Sequence, residues 1–147
     1  MTSVDPQKQN NLQESHFLPQ ETMEFKFFRI MILSPKKFSL SKLGKSPKVV
    51  KGIKRVIIHF HGGGFICMSS ESHQAYLKKY VSSLDALVFS VDYPLSPYTK
   101  YPELIESCIK AYLYITQLVS KVLKLQNFKI ILTGDSAGGN ICLGLVN

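Results

Sequence analysis

The sequence has little that would bind a metal ion or form a disulfide framework. Its three cysteines, Cys67, Cys108 and Cys142, are an odd number with no CxxC spacing. A disulfide framework needs paired cysteines, and a structural zinc site needs four ligands at short, regular spacings. We therefore expect no metal, and we predict each cysteine to be a small buried side chain in a reducing compartment.

Long apolar runs are also missing. No stretch approaches the roughly 20 apolar residues of a membrane span. Residues 1–16 lack both the basic region and the apolar region of a signal peptide. The sequence as given therefore predicts a soluble, cytoplasmic protein.

Acidic residues are absent from one long interval. There is none between Glu24 and Glu71, whereas ten Lys and Arg residues occur there. Most of them lie between Lys36 and Arg55, where they indicate either a solvated, flexible connection or a peripheral contact with an anionic lipid surface. No nucleic-acid reader motif accompanies the run, so we do not expect nucleic-acid binding.

The chain divides into three parts by composition. Residues 1–24 are a polar tail that we predict to be disordered. Residues 25–54 hold a strand, predicted over 22–33, and the basic loop. Residues 55–147 read as one globular unit.

Strands and helices are predicted to alternate in this third part. Three short apolar runs typical of buried strands occupy residues 55–60, 86–91 and 128–133. Helices are predicted over 70–84, over 102–125 and after Ser136. This order indicates an α/β fold with a mainly parallel sheet and helices on both faces. In such sheets, ligand sites lie at the carboxyl ends of the strands.

One glycine-rich stretch, "GDSAGG", follows the last predicted strand and opens a helix. A serine hydroxyl becomes a useful nucleophile when a sharp turn presents it to a base, and Gly134 and Gly138 leave room for such a turn around Asp135 and Ser136. The free N–H groups of the helix that follows would favour a developing oxyanion. An ordinary glycine-rich strand-to-helix turn would show the same local pattern.

A second glycine-rich stretch, "HGGGF", follows the strand over 55–60. Consecutive glycines let the backbone aim N–H groups into a site, as an oxyanion hole requires. We predict Gly63, Gly64 and Ala137 as the oxyanion donors, with His61 and Gly62 organising the loop. His59 and His61 lack a third metal ligand, and the glycines lack the spacing of a nucleotide-binding loop, so we expect no cofactor.

The ordered set HGGGF, "DYPLSP" and GDSAGGN resembles the hormone-sensitive lipase family of α/β-hydrolases over residues 55–145. The resemblance implies an α/β-hydrolase fold and a carboxylic ester hydrolase without metal or cofactor, acting on acyl esters or acylglycerols. Ser136 would attack the ester carbonyl. The family has Glu where this chain has Tyr98, which removes a carboxylate; Asp92 and Tyr93 match and are interpreted as structural.

In this family the acid and the histidine of the catalytic triad follow the serine along the chain. Here no Asp, Glu or His follows Ser136, and all four histidines precede it. We therefore expect an α/β-hydrolase truncated after the nucleophile turn, with the strand over 128–133 left as an open edge. The alternative is a non-catalytic small-molecule-binding relative, as the plant gibberellin receptor is in this same family.

Overall fold

The computed structural model describes residues 28–35 and 52–147. The predicted polar tail over 1–24 and most of the basic loop lie outside the described residues. Within them, the predicted strand over 22–33 is represented by β1, Arg29–Leu33.

The described residues form a four-stranded sheet in the order β1-β3-β2-β4. The other three strands are β2 (Arg55–Phe60), β3 (Ala86–Asp92) and β4 (Lys129–Gly134). β2 runs parallel to both β3 and β4, and β1 runs antiparallel to β3. Phe60 at the end of β2 is in register with Val91 and Gly134. The predicted mainly parallel sheet is therefore confirmed, and the carboxyl ends of β2, β3 and β4 meet at one edge.

Three helices cover the two faces of this sheet, as the sequence predicts. They are α1 (Ser70–Leu84), α2 (Glu103–Gln117) and α3 (Ala137–Val146). Alternate residues of the central strands divide between two cores: Ile58 and Phe89 belong to the larger one with Ile115 of α2, while Ile57 and Val88 pack with Leu77 of α1. Both central strands are buried because both of their faces are covered.

The prediction of one helix over 102–125 is wrong at its C-terminal end. The α-helical part stops at Gln117, and a π-helical turn, Leu118–Val122, continues it. There the N–H of Leu123 donates to the carbonyl of Leu118, five residues back, at 2.9 Å. The wider turn still buries Leu118 and Val119 against the core.

The prediction that β4 is buried is also wrong. Lys129 and Ile131 are exposed and the other residues of β4 are only partly buried, because within the described residues β4 pairs with β2 alone. The predicted open edge is therefore present in this part of the chain. The prediction of three buried cysteines holds for Cys108, whereas Cys67 is exposed and Cys142 is partly buried.

No helix in the described ranges combines the length and the apolarity needed to cross a membrane.

Candidate active site

Ser136 lies in a sharp turn between β4, which ends at Gly134, and α3, which begins at Ala137. Its backbone angles, φ 50° and ψ −116°, fall in a region that L-residues rarely adopt, and the residue is exposed. Such strain persists only where the surrounding structure imposes it. Here backbone atoms crowd the turn: a Cβ atom on Gly134 or Gly138 would overlap the carbonyl oxygen of Phe60.

The loop after β2 carries the second glycine-rich stretch. Gly63 and Gly64 have φ of 107° and 62°, which glycine adopts without steric cost. The carbonyl of Gly63 accepts the N–H groups of Ile66 and Cys67, each at 3.1 Å, and this closes the loop into a tight turn. Among the described residues, no hydrogen bond engages the N–H groups of Gly63 and Gly64.

The two loops are joined to each other at the carboxyl edge of the sheet. The N–H of Gly62 donates to the Asp135 carboxylate, with 3.1 Å between the nitrogen and Oδ1. A Cβ atom on Gly138 would also come within 3.0 Å of the carbonyl oxygen of His61. The structure thus brings together the two predicted glycine-rich loops, with Ser136 adjoining their contact.

His61 is buried beside this contact. Its Nδ1 donates to the carbonyl of Gly62 at 2.7 Å, and its ring stacks on Tyr93 with 4.4 Å between ring centroids. The Tyr93 hydroxyl donates in turn to the His61 carbonyl at 2.6 Å. Burial lowers the pKa of His61 and raises the pKa of Tyr93, so it favours the neutral form of both side chains. Tyr93 is therefore structural, as predicted.

Asp92, at the end of β3, anchors the start of α1. Its carboxylate accepts the backbone N–H of Ser70 and, at 2.8 Å, the Ser70 hydroxyl. Arg29 donates Nε to the same carboxylate at 2.8 Å, and this hydrogen bond raises the pKa of the guanidinium. A carboxylate at a helix N-terminus satisfies free N–H groups and complements the helix dipole.

His59 belongs with His61 and His73 to a buried cluster of histidines behind the loops. His59 contacts the Ser90 hydroxyl through Nδ1 at 2.7 Å and the Tyr76 hydroxyl through Nε2 at 2.6 Å. Burial lowers the pKa of His59 to about 4 and raises the pKa of Tyr76 to about 12. In the described part of the chain, no three His, Cys, Asp or Glu side chains are grouped as metal ligands.

Sequence reasoning missed His73. Its Nε2 lies 3.0 Å from Oδ1 of Asp135, and its ring is almost completely buried. The available signal was its position on the buried face of α1, four residues before Leu77. That periodicity predicts burial, but no local pattern predicts which carboxylate a buried histidine contacts.

Comparison with known proteins decides the lineage. A family model described as the α/β hydrolase fold matches residues 57–147, more than half of the chain. The chain belongs to the α/β-hydrolase family. Human hormone-sensitive lipase is 39% identical over 101 residues, which is 69% of this chain and 9% of the lipase. An esterase of Acinetobacter venetianus is 34% identical over 105 residues, 69% of this chain and 32% of that esterase.

The solved structures agree with this assignment of the α/β-hydrolase. An esterase of Pyrobaculum calidifontis has a TM-score of 0.66 at 26% identity, covering 90% of this chain and 40% of the esterase. An arylesterase has a TM-score of 0.63 at 25% identity, covering 91% of this chain and 43% of that chain. The predicted resemblance is confirmed: this is an α/β-hydrolase of esterase and lipase lineage, spanning about a tenth of the hormone-sensitive lipases that it matches.

Proposed function

We propose that this α/β-hydrolase is a carboxylic ester hydrolase in which Ser136 is the nucleophile. The Ser136 hydroxyl oxygen attacks the ester carbonyl while a base takes its proton. The N–H groups of Gly63, Gly64 and Ala137 hold the oxyanion of the tetrahedral intermediate. Its collapse expels the alcohol and leaves an acyl-serine, which water then hydrolyses.

The observation that carries this proposal is the contact between the two glycine-rich loops beside the strained Ser136 turn. Preorganised N–H donors are worth about 2.7–4 kcal/mol each in such reactions, provided that they need not reorient. The Gly62–Asp135 hydrogen bond supports that condition, because it fixes the residue that precedes Gly63 to the residue that precedes Ser136. His61 serves here as an organiser of the loop, since its Nδ1 is engaged by Gly62.

The described histidines contact partners other than the Ser136 hydroxyl. His59 contacts Ser90 and Tyr76, His61 contacts Gly62, and His73 contacts Asp135 and Ser69. We therefore propose that the general base and its acid come from outside the described residues.

The proposed substrates are acyl esters, including acylglycerols, since the relatives are named lipases and esterases. We further propose that the protein acts in the cytoplasm and that the basic segment from Lys36 to Arg55 contacts an anionic lipid surface.

The test supplies the missing base chemically. Release of p-nitrophenolate from p-nitrophenyl butyrate is measured with increasing imidazole, in a Cys67→Ala background that removes the exposed thiol. We expect a component that rises with imidazole and disappears in Ser136→Ala. Gly63→Ala should reduce this component about 10²-fold, because the substitution displaces an oxyanion donor.

Ser83→Ala is the matched control, since Ser83 is exposed near the opposite end of α1 from the site. It should release p-nitrophenolate at the parent rate. Equal rates with and without Ser136 at every imidazole concentration would contradict the proposal. Saturable ester binding under those conditions would favour the non-catalytic binding relative instead.

A further inference from the structure

One oxygen atom links α1 to both glycine-rich loops. Oδ1 of Asp135 lies 3.0 Å from Nε2 of His73 and 3.1 Å from the backbone nitrogen of Gly62. We propose that His73 is a positioning residue, which orients the Asp135 carboxylate so that it holds Gly62 and with it the oxyanion loop. The role of this contact in catalysis rests on the proposed function, whereas the contact itself is independent of that proposal.

The orientation of the His73 ring is fixed from both sides. Nδ1 lies 3.2 Å from the Ser69 carbonyl on one side and Nε2 lies 3.0 Å from Asp135 on the other, and a ring with its proton on Nε2 donates to the carboxylate. The start of α1 is itself held by Asp92, which binds the backbone and the hydroxyl of Ser70. Because Asp92 ends β3, Asp135 follows β4 and Gly62 follows β2, these hydrogen bonds tie the ends of three parallel strands together.

Asp135 needs such a partner. Its side chain is 53% exposed, whereas that of His73 is 8% exposed, so solvent alone would leave the carboxylate several rotamers. A carboxylate that swings freely would also place negative charge beside Ser136, where the oxyanion develops. Engagement of Oδ1 by two N–H donors turns the charge toward Gly62, and hydrogen bonds to a charged group are stronger than neutral ones.

The test uses two amide variants that imitate different ring nitrogens. The amide nitrogen of His73→Gln reaches toward the position of Nε2, whereas His73→Asn can reach the Ser69 side but is too short for Asp135. Hydrogen–deuterium exchange of the Gly62 amide is followed by NMR in the 147-residue chain. We expect exchange to accelerate about tenfold in His73→Asn and to stay near the parent rate in His73→Gln.

The Gly138 amide is an internal reference, because it donates to the backbone carbonyl of Asp135 at 2.8 Å and not to its side chain. A matched control is His59→Gln, which alters the same buried cluster but leaves Asp135 untouched. Asp135→Ala removes the acceptor itself from a half-exposed site and should accelerate Gly62 exchange at least as much as a folded His73→Asn chain. If His73→Asn folds poorly, Asp135→Ala still tests the contact.

Equal Gly62 exchange in the Asn and Gln variants would overturn the proposal. So would parallel acceleration of Gly62 and Gly138, which would indicate general loosening of the turn. In the imidazole assay, His73→Asn should lower the Ser136-dependent rate about tenfold and His73→Gln should restore it. The two proposals can also be separated. If Gly62 exchange accelerates in His73→Asn and not in His73→Gln, but no ester hydrolysis depends on Ser136, then the positioning contact is supported and the proposed function fails.

Discussion

The carbonyl oxygen of Phe60 occupies the space that a Cβ atom on Gly138 would need. Phe60 ends β2 and Gly138 lies in the first turn of α3, so a strand and a helix meet there through their backbones. Neither backbone can move without disturbing the sheet or the Ser136 turn. The close approach therefore ties the position of Ser136 to the central strand.

We expect Gly138→Ala to lower the free energy of unfolding by about 1–3 kcal/mol or more, because a methyl group would force these two backbones apart. Gly144→Ala is the matched control, since nothing lies within 4 Å of its Cβ position in the same helix. It should stabilise the chain by about 0.5–1 kcal/mol, as Gly to Ala does in helices. Urea titration of both variants measures the difference, and a Gly138→Ala chain as stable as Gly144→Ala would contradict it.

The strained backbone of Ser136 predicts that the residue proposed as nucleophile lowers the stability of the fold. At φ 50° and ψ −116° a side chain costs about 1–3 kcal/mol, which glycine largely avoids. We expect Ser136→Gly to be about 1 kcal/mol more stable than the parent chain, after its greater loss of chain entropy on folding is counted. Ser136→Ala keeps the Cβ atom and should show no such gain. A glycine variant less stable than the alanine variant in urea titration would argue against backbone strain.

The buried imidazole of His59 predicts a pH-dependent stability. Burial lowers its pKa from 6.5 to about 4 in the folded chain, so below pH 6.5 the unfolded chain binds a proton that the folded chain does not. The stabilisation is therefore complete above about pH 6.5 and is lost as the pH falls toward 4, by about 3 kcal/mol at most. The pKa of His61 is lowered as well, which adds a change in the same direction.

The free energy of unfolding of the parent chain and of His59→Gln, measured by urea titration from pH 4 to pH 8, checks this. The glutamine cannot titrate, so the pH slope should be smaller in that variant, with His61 contributing to the slope that is left. Identical slopes in the two chains would assign the pH dependence to other groups.

The cysteines should differ sharply in their reaction with iodoacetamide. Cys67 is exposed on the loop that follows Gly64, whereas Cys108 is buried and its pKa is raised to about 12. Because burial raises this pKa, very little of the Cys108 side chain is the reactive thiolate at pH 8, and the buried sulfur is also out of reach of the reagent. Peptide mass spectrometry of the native chain should find Cys67 alkylated first and Cys108 only in denaturant. Alkylation of Cys108 at the rate of Cys67 would mean that the core opens readily.

The sequence predicts those parts of the fold whose causes are local. The strand over 55–60 and the helix over 70–84 match the structure, because their apolar patterns reflect the faces that they bury. The burial of β4 could not be predicted from its apolar residues, since burial depends on which strands lie beside it. The π-helical turn after Gln117 likewise contains no glycine or proline that would predict it, although it buries Leu118 and Val119.

The candidate site divides in the same way. The two glycine-rich turns are recognisable because tight turns restrict the residue types at fixed local positions. The hydrogen bonds of His73, Asp92 and Tyr93 join residues that are distant along the chain, and a single sequence carries no record of such pairs. The exposure of Cys67 could not be foreseen either, since it follows from the particular turn that Gly63 closes.

The hydrogen bond between Gly62 and Asp135 spans 73 positions of the chain, and this separation affects how the site comes into being during folding. Contacts between distant residues form slowly, because a long loop must close before they contribute any stability. Among the described strands β4 comes last along the chain, yet it pairs with β2, the strand that precedes the HGGGF loop. β2, α1 and β3 follow one another along the chain and can associate earlier, whereas the two glycine-rich loops meet only in the step that adds β4.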